Sequence, residues 1–151
     1  MNHDYFMDLA LNEAKKAGQN DEVPIGALVV AENGDIISAA HNQTIALNDP
    51  TAHAEILAIR DAAERKENYR LPGTTIYVTI EPCIMCMGAI IHARISSVIF
   101  GAYDLKWGAA GSLYDLSKDA RLNHQVNIVS GIREDHARRL IQDFFRGKRK
   151  K

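Results

Sequence analysis

The stretch Thr75-Ile76-Tyr77-Val78-Thr79-Ile80-Glu81-Pro82-Cys83-Ile84-Met85-Cys86 runs from a β-branched and aromatic segment straight into two cysteines three residues apart. Thr75 to Thr79 reads as a short strand. Pro82 is a favoured first helical residue, and a helix from Cys83 to about Ala93 would stack Cys83 and Cys86 on one face, within reach of a single ion. These are the only 2 cysteines of the chain, so none is left for a disulfide, in agreement with a reducing compartment.

Upstream, Pro50-Thr51-Ala52-His53-Ala54-Glu55 brings a histidine and a glutamate to the start of another helix, which Thr51 can cap and which runs to about Glu64. Two thiolates and one imidazole make three ligands for zinc. A structural zinc site is usually closed by four protein ligands, whereas a catalytic one keeps a position open for water. No fourth ligand stands nearby in sequence, so the open site is the simpler reading. Glu55 supplies the base that such a water needs. At roughly 100° per residue, His53 and Glu55 point different ways in a regular helix, so one coordinates and the other handles protons. The positive end of the second helix favours thiolate at Cys83. Two other readings stay open: a thioredoxin-like redox pair, and a closed structural site completed by a distant histidine, for which His41 and His124 are the candidates.

The rest of the chain builds an α/β frame around these segments. Asp4 to Ala17 forms an amphipathic helix with Phe6, Leu9, Ala10, Ala14 and Ala17 on one face and Gly18 as its stop. Ile25 to Ala31 and Ile36 to Ala40 are strands joined by an Asn33-Gly34 hairpin, hence antiparallel. His41 to Pro50 is polar and too long for a tight turn, which marks it as a functional loop. Ser97 to Phe100 is the fourth strand. Strand, helix, strand, helix, strand is the pattern of a parallel sheet with right-handed crossovers, and it places both metal segments at the edge where open α/β sheets bind ligands. Gly101 to Ser112 is a loop carrying Tyr103, Asp104, Lys106 and Trp107. Leu113 to Leu116 reads as a helical turn, Val126 to Val129 as a fifth strand, and Glu134 to Arg146 as a last helix. The expected fold is a three-layer α/β/α domain with a five-stranded mixed sheet.

At 151 residues and 46% hydrophobic, the chain makes one globular domain. No apolar run approaches the roughly 20 residues of a membrane span, and Met1-Asn2-His3-Asp4 opens without a secretory pattern, so a cytoplasmic protein is expected. Charge is uneven. Five of the 18 basic residues lie in Arg146 to Lys151, while residues 1–145 hold 13 basic against 19 acidic residues, a formal charge of −6. The basic end reads either as a solvated terminus or as an arm for nucleic acid.

The combination of His-x-Glu with Pro-Cys-x-x-Cys resembles the signature of zinc-dependent nucleobase deaminases. Around it, Glu22-Val23-Pro24-Ile25-Gly26-Ala27, His41-Asn42, Tyr69-Arg70-Leu71, Gly111-Ser112-Leu113, Leu122-Asn123-His124 and Phe144-Phe145-Arg146 extend the likeness over nearly the whole chain. Together they resemble the bacterial tRNA-specific adenosine deaminases of the cytidine deaminase-like superfamily. The metal motif is common to the superfamily; the flanking set is more specific.

The resemblance implies a homodimer that converts the wobble adenosine of an arginine tRNA anticodon to inosine, with the tRNA anticodon stem-loop as partner and one zinc per chain. His53, Cys83 and Cys86 would bind the zinc and Glu55 would shuttle protons. Asn42 and Ala54 would contact the flipped base, the amide offering both donor and acceptor. Asp104 and Lys106 would meet flanking nucleotides, and Phe145 with Arg149 the anticodon loop or stem. Residues 1–145 would form the zinc deaminase domain and 146–151 its basic tail. Trp107 departs from the family, where a small or polar residue is commoner; it is read as a stacking group, a dimer contact or a packing residue against the last helix. Two rivals remain. A free-base or nucleoside deaminase would share the metal site but have no use for the basic tail, and a zinc-stabilised RNA-binding module would have no use for Glu55.

Overall fold

The computed structural model describes residues 1–149, the side chain of Arg149 excepted. In chain order it forms α1 (His3–Gln19), β1 (Gly26–Val30), β2 (Ile36–His41), α2 (Ala54–Lys66), β3 (Thr75–Ile80), α3 (Ile84–His92), β4 (Ser97–Ala102), β5 (Asn127–Val129) and α4 (Glu134–Arg149). The strands make one mixed sheet in the order β2-β1-β3-β4-β5. β1 is antiparallel to both neighbours, while β3, β4 and β5 run parallel. With β1 reversed between them, β2 and β3 point the same way, so the β2–α2 and β3–α3 junctions share one edge.

Strand alternation divides the core. Ala27, Val29, Ile76, Val78, Val98 and Phe100 pack against Ala54, Ala58 and Ala62 of α2 and Met87, Ile90 and Ile91 of α3. Leu28, Val30, Tyr77 and Ile99 face the other way, against Phe6, Met7, Ala10 and Leu11 of α1 and Ala137 of α4. Every residue of β1 and β3 is buried, as strands covered on both faces require. α1 lies so close to the sheet that a Cβ on Gly26 would overlap the backbone at Ala10 and Ala14, which makes this glycine a packing requirement. The three-layer α/β/α fold with a five-stranded mixed sheet is the expected one.

Several local expectations shift. Gly18 does not stop α1, which ends at Gln19; Asn20 caps it and Asp21 takes the left-handed turn with φ 59°. Leu9 is only partly buried, and Met7 and Leu11 fill the face instead. Thr51 does not cap α2, because its hydroxyl donates to Asp49 Oδ1 at 2.7 Å and the N-cap position falls to His53. Pro82 stands outside α3, whose N-cap is Cys83. Residues 113–116 make no helical turn: Gly111 N–H donates to the Tyr114 carbonyl and Ala110 pairs with Asp115 across a tight reversal. α4 continues through Arg149, three residues beyond the expected end, so Arg146 to Arg149 extend the helix; Lys150 and Lys151 lie outside the described residues. Among the described residues, no helix is long and apolar enough to cross a membrane.

Candidate metal centre

His53 ends the loop after β2 in an extended conformation, with φ −71° and ψ 153°, and its ring makes no cap to α2. It turns instead toward the start of α3, where Nδ1 lies 3.7 Å from Cys83 Sγ and 3.5 Å from Cys86 Sγ. A tetrahedral zinc with Zn–S near 2.3 Å and Zn–N near 2.0–2.1 Å sets its sulfur and nitrogen ligands about 3.6 Å apart. The observed separations match that spacing, and the three donor atoms all lie within 4.8 Å of one another. Among the described residues this is the only such group of three. His41 is engaged with Glu13, Nδ1 to Oε1 at 3.5 Å, and His124 Nε2 donates to the Ile95 carbonyl at 2.7 Å. Neither completes a closed site, and a histidine against both sulfurs is a metal set, not the surroundings of a redox pair.

The electrostatics suit a cation. The first negative charge of the cysteine pair rests on Cys83, drawn down to about 4 chiefly by the hydrogen bond from the Cys86 thiol. Cys86 is pushed up as the donor in that bond and by burial. A bound divalent ion allows both to ionise. Glu55, in the first turn of α2 and 4% exposed, makes no ion pair among the described residues; burial pushes its carboxyl up to about 7, where it can both take and give a proton.

Asn42, 6% exposed, follows β2 and accepts the Ala54 N–H on Oδ1 at 2.7 Å. One of the two lone pairs of the oxygen expected to face a base is therefore taken by the helix start; Nδ2 has no partner among the described residues and remains free to donate. Asp104 and Lys106 lie on the loop after β4, where Asp104 Oδ1 accepts the N–H groups of Lys106 (3.1 Å) and Trp107 (3.2 Å). Trp107 is 67% exposed, so it is no core residue. Phe145, 42% exposed, stacks edge-on with Phe144 on α4, in the layer opposite α2 and α3. The fold therefore gathers His53, Cys83, Cys86, Glu55, Asn42 and Ala54 at one point. Phe145 stands apart from them, and the side chain of Arg149 is not described.

Two further residues escape a reading from sequence. Glu22 and Glu81 are 2% and 3% exposed. Glu22 accepts N–H groups of Ile45 (3.1 Å) and Ala46 (2.8 Å) in the loop before His53, and Glu81 serves the loop after β4. The available signal was an acid in apolar company just before a proline, in Glu22-Val23-Pro24 and Glu81-Pro82.

A two-thiolate, one-imidazole set with a buried carboxyl beside it, at the open edge of this sheet, fits the zinc-binding site of a hydrolytic deaminase. The family model for the cytidine and deoxycytidylate deaminase zinc-binding region matches residues 1–102. The chain is 46% identical over 146 residues to the tRNA-specific adenosine deaminase of Bacillus subtilis, covering 97% of this chain and 90% of that one. It is also 46% identical to the protein of that name from Aquifex aeolicus, covering 97% and 95%. A solved structure from a study of A-to-I editing by tRNA:A34 deaminases superposes with a TM-score of 0.87 at 46% identity, over 90% of this chain and 98% of that one. The chain belongs to the tRNA-specific adenosine deaminase family.

Proposed function

We propose that this enzyme deaminates the wobble adenosine of a tRNA anticodon to inosine, with an arginine tRNA as substrate, in the cytoplasm. The observation that carries the reading is the 46% identity to a tRNA-specific adenosine deaminase along 97% of this chain and 90% of its relative. His53, Cys83 and Cys86 would hold zinc, which would supply one thing when bound: a water acidic enough to lose a proton near neutral pH. Glu55 would take a proton from the attacking water and pass it to the ring nitrogen N1 as the water oxygen joins C6, then take the remaining proton from that oxygen and deliver it to the departing amine. The C6–N bond breaks, ammonia leaves and inosine remains. Asn42 Nδ2 donates to an acceptor of the purine, and Ala54, fixed to Asn42, lines the same pocket. An anticodon loop suits such a pocket because its bases are already splayed from a duplex, which lowers the cost of extrusion.

Asp104 and Lys106 meet the flanking nucleotides, and Phe145, Arg149 and the basic end meet the loop or stem. The enzyme acts as a homodimer; exposed Ile45, Leu47, Ile84, Leu105 and Leu113, on segments that border the metal centre, favour a partner surface. The test is incubation with a transcribed arginine tRNA and sequencing for adenosine-to-inosine conversion. Conversion at the wobble position supports the reading, and an unedited tRNA with a zinc-loaded enzyme overturns it.

A further inference from the structure

Glu81 stands between the end of β3 and the two cysteines and is 3% exposed. Its Oε1 accepts the Asp104 N–H at 3.0 Å and the Ser112 hydroxyl, and its Oε2 accepts the N–H groups of Ala110 and Ser112, each at 3.0 Å. All four donors belong to one segment, residues 104–112. The backbone continues the same seam: Glu81 N–H donates to the Ala102 carbonyl at 2.8 Å, Ala109 N–H donates to the Pro82 carbonyl at 2.8 Å, and Cys83 bridges Gly108. Gly108 lies so close that a Cβ there would overlap the Glu81 carboxyl group.

A carboxylate is costly to bury unless its oxygens are satisfied, and an apolar side chain would close a loop without that cost. What the carboxylate adds is geometry, because four donors converging on a planar acceptor fix the loop against the residue that holds them. That residue is two positions from Cys83. The loop it holds carries Asp104, Lys106 and Trp107, whose backbone is folded in turn onto Asp104.

We propose that Glu81 is a positioning residue: it locks the loop Asp104–Ser112 to the metal-binding turn and so sets the mouth through which the substrate is gripped. The part of this that concerns RNA rests on the function proposed above; the locking does not.

The chain contains a single tryptophan, Trp107, and it reports from this loop. Three variants probe the lock differently. Glu81→Gln turns an amide NH2 toward backbone donors, Ser112→Ala removes one donor, and Gly108→Ala drives a methyl against the carboxylate. The holoenzyme of each is measured for zinc content, for time-resolved anisotropy of Trp107, and for KM and kcat on an anticodon stem-loop RNA. The expected result is zinc near one per chain, faster local motion of Trp107, and KM raised roughly tenfold in Glu81→Gln, less in Ser112→Ala, with kcat little changed. If Glu81→Gln does not fold, the milder Ser112→Ala decides. Unchanged Trp107 motion overturns the proposal, as does a fall in zinc and kcat at constant KM, which would make Glu81 a support of the metal turn alone. If the unaltered enzyme edits no RNA, the function proposed above fails, and the Trp107 signal still decides whether Glu81 locks the loop.

Discussion

The carboxamide oxygen of Asn42 caps the Ala54 N–H at 2.7 Å from 12 residues upstream. A helix start normally takes its cap from the N-cap side chain, here His53, but that ring is turned to the two sulfurs. Asn42 replaces the missing cap and, by doing so, aims its own NH2 group. One side chain thereby fixes the start of the helix that bears Glu55 and, in the proposed function, presents a hydrogen-bond donor to the base.

The two duties of Asn42 separate by substitution. Asn42→Asp keeps an oxygen for Ala54 and removes the donor but buries a carboxyl in place of an amide, so some loss of thermal midpoint should accompany a fall of about tenfold or more in kcat/KM on tRNA, as for a lost hydrogen bond to substrate. Asn42→Ala loses the cap as well and should cost about 0.5–2 kcal/mol in denaturant unfolding. Full activity in a folded Asn42→Asp would show that the amide donor is not used.

Zinc content follows from the ligand count. Purified enzyme should carry about one zinc per chain by metal analysis, and Cys86→Ala, which removes a fully buried sulfur ligand, should lose most of it. Because the ion binds the folded site, stripping it with a chelator should also lower the thermal midpoint, and adding zinc back should restore both midpoint and activity. A Cys86→Ala protein with full zinc would sink the assignment.

In the proposed mechanism Glu55 handles protons and does not bind the metal. Glu55→Gln should keep zinc and fold while turnover falls by roughly 10²–10⁴, the span of general acid–base catalysis. The buried carboxyl carries a desolvation cost that the amide lacks, so no loss of thermal stability should accompany the lost activity. Substantial remaining turnover in a single-turnover tRNA assay would remove Glu55 from its role.

The donors were legible because each lies in a short local pattern: Cys83 and Cys86 within one turn, His53 and Glu55 two residues apart. The sheet was legible for a related reason, since β1 and β3 read as unbroken apolar or β-branched runs. Glu81 was not legible, because three of its four donors are backbone N–H groups 23 to 31 residues further on, and backbone donors leave no mark in a sequence. The misplaced cap at Thr51 has a similar origin. Thr51 is a good capping residue, but Asp49, two residues earlier, captures its hydroxyl and its N–H. The resemblance named Asn42, yet only the fold shows that its oxygen already accepts the Ala54 N–H.

The basic end of the chain separates an RNA enzyme from a free-base deaminase. Arg146 to Arg149 continue α4, and Lys148 pairs with Asp21 at 3.4 Å and lies over the Phe144 ring at 5.5 Å. Both groups of the pair are well exposed, so the ion pair contributes little to stability. Deleting residues 146–151 should therefore leave zinc content intact and the thermal midpoint nearly so. It removes five positive charges from a chain whose remainder is acidic. Binding of tRNA should weaken, and its dependence on salt should become shallower, by roughly 0.7–0.9 in the log–log slope for each phosphate that the shortened chain no longer neutralises. Charge reversal at Arg146 alone should produce a smaller change of the same sign, because Asp143 already shares its guanidinium at 3.3 Å. Fluorescence anisotropy titrations of labelled tRNA at several salt concentrations measure both quantities. An unchanged affinity together with an unchanged slope would make the basic end a solvated terminus and leave the grip on RNA to the loops around the metal.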